Sequence, residues 1–182
     1  MIKFHEPYGQ VEVCSVGTRV PYYLNRSVIL LLSSHGVEDA VFRGKQQRML
    51  DQLDSMLSDT ETAIRMLPRL SGPDSDLRKS LLYMLYTGLS PRMDPFLLDC
   101  MNAIRSHHLY SLRKKARIFV ECGAVLMGGV DEYGILPEFC VFVQVEREKH
   151  PLETQKGCKP VVGPVLVTKH PVTHPGDVRM LL

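Results

Sequence analysis

The chain has 182 residues, 45% of them hydrophobic and 23% charged, with a formal net charge of +2; this suits one or two small globular units, and the overall charge argues neither for nor against an anionic partner. No run approaches the roughly 18 apolar residues of a membrane span, and the opening MIKFHEPYGQ lacks the apolar core of a signal peptide, so a soluble intracellular protein is expected. The five cysteines, Cys14, Cys100, Cys122, Cys140 and Cys158, are widely spaced without a C-x-x-C pair, which points to reduced thiols and away from a zinc site.

In chain order, the alternating QVEVCSV fits a half-buried strand and RVPYYLN follows it. Asn25 stands where an N-cap belongs, ahead of SVILLLSS, and Gly36 offers the left-handed residue that closes a helix. That short helix is too apolar to face water. From Val41 to Leu70, the residues Met49, Leu53, Met56, Leu57, Ile64 and Leu67 recur at helical spacing with charges between them. Ser58 and Glu61 have capping-box spacing, so the region is either two helices or one bent one. After the break at SGPDSD, Leu77, Leu81, Met84 and Leu85 form the next helical face, which ends near Gly88 and Pro91. Asp94 before Pro95 then caps a helix with Leu97, Met101, Ile104 and Leu112 on one side and a basic last turn, as the helix dipole favours.

Beyond Ala116 the texture changes. RIFVECGAVLMGGVDEYGILPEFCVFVQVE is rich in Val, Ile and Phe and reads as strand, turn and strand, with Gly128, Gly129 and Gly134 allowing tight or left-handed backbone. A polar loop, REKHPLETQKGCKP, separates it from VVGPVLVTKHP. The final GPVLVTKHPVTHPGDVRMLL reads as a strand, a turn rich in Pro and His, and the start of a second strand. The class is α+β.

Two stretches stand out because they contain no acid. From Met101 to Val120 lie Arg105, His107, His108, Arg113, Lys114, Lys115 and Arg117; from Thr154 to Gly176 lie Lys156, Lys159, Lys169, His170 and His174. Such stripes can neutralise phosphates through ion pairing and counterion release, or can be a solvated helix end and a surface loop. His170 and His174 have metal-ligand spacing for a helix, but Pro171 and Pro175 break any helix there, so a turn-shaping role is favoured. Asp74 and Asp76 form an Asp-x-Asp pair at a loop-to-helix boundary, where aspartates cap helices. Asp131 and Glu132 are read as turn residues that anchor a loop. Neither a G-x-S-x-G elbow nor a Walker loop is present.

Three stretches, in order, resemble the eukaryotic RNA-directed RNA polymerases of the RNA-silencing pathway. YLNRSVILLLSSHGVEDAVF is similar to that family's L-N-R-x-x-I-x-L-L-x-x-x-G-V-x-x-x-V-F helix, and KARIFVECGAVLMGGVDEYGIL to its A-R-I-x-V and L-M-G-x-x-D-E-x-G-x-L segment. GPVLVTKHPVTHPGDVRML resembles its G-x-V-x-V-T-K-x-P-x-x-H-P-G-D-x-R-x-L stretch. The resemblance implies a helical connector flanked by pieces of two double-psi β-barrels: residues 1–24 as terminal strands of the first barrel, 25–116 as the connector, and 117–182 as the N-terminal part of the second, incomplete barrel. It implies Mg2+-dependent nucleotidyl transfer that makes double-stranded RNA from a single-stranded RNA template and nucleoside triphosphates. Other silencing proteins are implied as partners, with no membrane, in the cytoplasm, the nucleus or both.

The family's metal-holding signature, an Asp-x-Asp-Gly-Asp loop after the H-P-G-D segment, has no counterpart in these 182 residues. The chain alone is therefore expected to be catalytically silent, with no catalytic residue and no metal ligand of its own. The alternative is an RNA-binding or interaction module made from a truncated polymerase. The resemblance makes Lys169 and Arg179 the leading candidates for RNA or nucleotide phosphate contact, followed by Arg113, Lys115 and Arg117. Strands whose partners lie outside the chain are expected to leave open edges and an uncovered apolar face in the C-terminal third.

Overall fold

The computed structural model describes residues 20–70, 75–146 and 158–182. The QVEVCSV strand, Asp74, Lys156 and most of the polar REKHPLETQKGCKP loop lie outside them. The element order is β1 (Val20–Tyr23), α1 (Arg26–Ser34), α2 (Asp39–Ser55), α3 (Thr60–Met66), α4 (Ser75–Tyr86), α5 (Pro95–Lys115), β2 (Phe119–Val125), β3 (Gln144–Glu146), β4 (Cys158–Pro160), β5 (Val165–Thr168) and β6 (Val178–Leu181). Short 3-10 turns at Leu67–Arg69 and Pro175–Asp177 follow α3 and precede β6. This is α+β, as the sequence predicts. The strands form three separate two-stranded antiparallel ribbons, β1–β2, β3–β4 and β5–β6, none of them closed into a barrel.

Local chemistry explains most helix ends. Asn25 Oδ1 accepts the Val28 N–H at 2.9 Å to start α1, and Asp94 Oδ1 accepts the Leu97 N–H at 2.7 Å to start α5, with Pro95 behind it. Gly36, with φ at +93°, follows α1. The region from Val41 to Leu70 resolves into two helices, and the cap between them corrects the expectation. Asp59, not Ser58, takes the Glu61 and Thr62 N–H groups, while the Ser58 hydroxyl turns back to the Ser55 carbonyl of the preceding helix end. A carboxylate also suits the positive end of α3 better than a hydroxyl.

Two apolar clusters hold the molecule. The larger lies among α2, α3, α4 and α5 and contains Met49, Leu53, Met56, Met66, Leu81 and Leu97, with Tyr23 and Phe119 closing it from the β1–β2 ribbon. The Phe119 N–H reaches Met49 Sδ at 3.4 Å. Each such fully buried side chain stabilises the fold by about 1.5–3 kcal/mol. The smaller cluster holds Leu24, Val28, Phe42, Ile118 and Val172. Along α5, Leu97, Met101 and Ile104 serve the first cluster and Leu112 the second, so one helix ties both together.

Two further expectations need correction. α1 buries only Val28 fully, and Leu30 on its outer side is 70% exposed, so this apolar helix does face water in the chain as it stands. The stretch from Phe119 to Glu146 does not fold back on itself: β2 pairs with β1, β3 pairs with β4, and residues 126–143 run as turns and loop. Of the three glycines read as turn formers, Gly134 has a positive φ, +62°, while Gly128 and Gly129 do not. The choice of β1 as partner follows from packing, since Tyr23 and Phe119 meet in the larger cluster at a ring separation of 5.4 Å. The β1–β2 register slips between Pro21, opposite Ala124, and Tyr22, opposite Val120. Gly123 sits in that slip, where a Cβ would lie 2.8 Å from Tyr22 Cβ, so only glycine lets the strands approach.

Candidate nucleic-acid interface

The C-terminal hairpin is built around one carboxylate. β5 and β6 pair from Val165 opposite Leu181 to Thr168 opposite Val178. The connecting turn is pinned by Asp177, whose Oδ2 accepts the N–H groups of Thr173 at 3.0 Å and His174 at 2.9 Å. His174 Nδ1 accepts the Gly176 N–H at 3.0 Å, which places the ring proton of a neutral His174 on Nε2. The two backbone donors hold the Asp177 carboxyl below its ordinary value, and the nearby charge of Lys169 adds to this. The H-P-G-D sequence thus makes a reciprocal cap. His174 shapes the turn, as the prolines at 171 and 175 suggest, and Asp177 completes it.

Three contacts dock this turn on the rest of the chain. Val172, only 6% exposed, inserts into the smaller cluster beside Leu24, Val28, Phe42 and Ile118. His35, just past α1, donates from Nε2 to the Pro175 carbonyl at 3.0 Å. The Tyr22 ring stacks on His170 at 6.3 Å with 30° between planes. Burial raises the Tyr22 hydroxyl above its ordinary pKa, and the nearby positive charge of Arg117 partly offsets that.

The five cations singled out from the sequence are all exposed. The structure gathers three of them loosely around the docked turn. Lys169 leaves the end of β5 near Asp177, Arg117 lies near Tyr22 beneath His170, and Arg179 in β6 donates from Nε to the Gly176 carbonyl at 3.4 Å. Lys115 stands in the last turn of α5, and Arg113 lines a separate groove on the helices. Among the described residues none of the five has an ion-pair partner, although Lys169 lies near enough to Asp177 for their charges to interact. By contrast, the other cation of this run, Lys114, lies over the Tyr110 ring at 6.0 Å.

The sequence did not single out Tyr22, His35 or Val172. Their signals were a tyrosine just ahead of an N-cap, a histidine just past a helix, and a valine between two prolines. None carries a motif on its own, because each acquires its role from a contact more than a hundred residues away in sequence.

A model of the family described as RNA dependent RNA polymerase matches residues 1–182. The chain belongs to the RNA-dependent RNA polymerase family. It is 35% identical to RNA-dependent RNA polymerase 2 of Arabidopsis thaliana and 37% identical to RNA-dependent RNA polymerase 6 of the same plant, with all of this chain covered in both cases. It is 26% identical over 98% of its length to RNA-dependent RNA polymerase 1 of Schizosaccharomyces pombe. The chain spans 17%, 16% and 16% of the lengths of these three relatives.

Polymerases of this family are nucleotidyltransferases, and the resemblance implies Mg2+. Among the described residues no group of three or more His, Cys, Asp or Glu side chains could hold a metal ion. Asp76, the described member of the Asp-x-Asp pair, lies in the first turn of α4 and pairs with Lys79 at 2.9 Å. Asp131 accepts the Leu136 N–H at 2.8 Å and anchors its loop. Asp177 is engaged by backbone amides. These carboxylates do not fit a Mg2+ cage, and no catalytic step is placed on them.

Proposed function

We propose that this chain is a part of the core of an RNA-dependent RNA polymerase that copies single-stranded RNA into double-stranded RNA for gene silencing. The family match over residues 1–182 carries this reading. Within it, the helices are the connector between two double-psi barrels, with residues up to 24 and from 117 onward contributing barrel strands. The pairing of β1 with β2 supports this division, because it brings together the chain segments on either side of the helices.

In this reading Lys169 and Arg179 contact RNA or nucleotide phosphates. They flank a turn whose backbone is fixed by Val172, His35 and the Asp177 cap, so little backbone entropy is lost when a phosphate engages them. Lys169 acts as a mobile point charge, while the planar guanidinium of Arg179 can bond two phosphate oxygens at once. Arg117 and Lys115 extend the positive surface. Arg113 is set apart from them by its place on the helical groove. No Asp-x-Asp-Gly-Asp string occurs in the 182 residues, and in this reading the polypeptide alone binds RNA without extending it.

Single-stranded RNA binding across a salt series tests the reading. Removing one phosphate-binding cation should make the slope of log affinity against log salt shallower by about 0.7. Lys169→Glu should weaken binding about fivefold at moderate salt and flatten that slope. Unchanged affinity and slope would remove Lys169 from the interface. Primer extension by the purified chain, with Mg2+ or Mn2+, should give no product above a mock preparation; incorporation would place catalysis inside these residues.

A further inference from the structure

A groove of about 500 Å3 opens among α1, α2 and α5, and no hairpin residue lines it. Phe42, Leu50, Leu109 and Leu112 make up much of its apolar wall. Arg43 from α2 and Arg113 from α5 stand beside that wall, both exposed, and neither has an ion-pair or hydrogen-bond partner among the described residues. The lining contains one carboxylate, Asp39, in the first turn of α2, where the helix dipole already favours its charge. Two guanidinium groups and a single carboxylate therefore share the lining with an apolar surface.

That combination selects against nucleic acid. The Phe42 ring is only 7% exposed and offers no face on which a base could stack, and the aliphatic wall offers a nucleic acid nothing to bond. It suits a peptide with apolar side chains on one face and carboxylates beside them, the mode in which an amphipathic helix lies in a groove between helices. We propose that this groove is a docking site for an acidic amphipathic segment of a separate partner protein, held by its apolar face and by carboxylate pairs to Arg43 and Arg113. The site shares no residue with the hairpin and does not rest on the polymerase reading.

The test uses two labelled helical peptides that differ only in charge, with leucines along one face flanked by glutamates in one and by lysines in its twin. Fluorescence anisotropy with the 182-residue chain should show binding of the glutamate peptide and little of the lysine twin. Arg43→Glu with Arg113→Glu should weaken the glutamate peptide about tenfold or more, the range of a partly desolvated ion pair. The same variant should gain affinity for the lysine twin, which shows that it is folded and that charge sets the choice. Equal binding of the two peptides, or binding of neither, overturns the proposal. Displacement of the peptide by single-stranded RNA reassigns the groove to nucleic acid. Displacement by self-association, read from its dependence on protein concentration, reassigns it to a second copy. Failure of a longer polymerase chain to bind a peptide that the 182 residues do bind assigns it to the polymerase's own chain.

Discussion

The helical region and the C-terminal strands are built under different rules. In the helices the interior backbone groups find their partners within a few residues, so four helices can gather one core in which Leu53, Met56, Met66 and Leu97 have no exposure at all. A strand finds its partners only in a neighbour. The three ribbons leave outer edges, and Met127, Val130 and Val162 are 85%, 88% and 94% exposed. These exposed apolar side chains stand in the loops between the strands of the described residues. Local hydrogen bonding lets the helices gather most of their core among themselves, with Tyr23 and Phe119 of one ribbon completing it, whereas the two-stranded pieces gather no such core of their own.

The strongest way to break that comparison is to empty the helical core. Leu53→Ala should cost about 3 kcal/mol or more, as for other fully buried leucines, and shift the denaturation midpoint monitored by helical circular dichroism. Val130→Ser, in the exposed loop, should change the same midpoint by no more than about 0.5 kcal/mol while lowering light scattering on concentration. Equal losses at the two sites would mean that the regions are not energetically distinct.

Val172 joins the two regions, so its truncation sharpens the comparison. Val172→Ala should cost about 1–2 kcal/mol. Hydrogen exchange should then accelerate in residues 165–182 and stay slow in α2 to α5. Acceleration across both would show that hairpin docking also supports the helical core.

The smallest expected effect is a pH dependence confined to the hairpin. Because the folded Asp177 pKa lies below its ordinary value of 3.8, its stabilising contribution is fully present above that value and is lost as pH falls through the lower folded pKa. The amide resonance of Thr173, whose N–H Asp177 accepts, should therefore show a carboxylate transition centred below pH 3.8. Asp177→Asn should remove that transition. Movement centred at or above the ordinary carboxylate value would show that the cap does not form in solution.

Much of the helical region was legible from sequence because its determinants are local. Asn25 and Asp94 cap the helices they were expected to cap, and Leu81, Leu85, Leu97 and Met101 are buried as their spacing predicts. The Ser58 cap was missed by one residue because Asp59, with the stronger acceptor, competes for the same amides. The hairpin was legible too, with its histidines and Asp177 in the turn. The partner of β2 was not, since a single strand pattern does not say which of several edges it will meet.

By itself the sequence determined the α+β class, the caps at Asn25 and Asp94, the hairpin and the family, all of them properties of short contiguous stretches. Only the tertiary structure decided that β1 would pair with β2, that Val172, His35 and Tyr22 would dock the basic turn, and that Arg113 would stand with Arg43 beside an apolar groove. These depend on apolar surfaces meeting across long sequence separations, and hydrophobic attraction has no direction of its own; shape and register choose the partner.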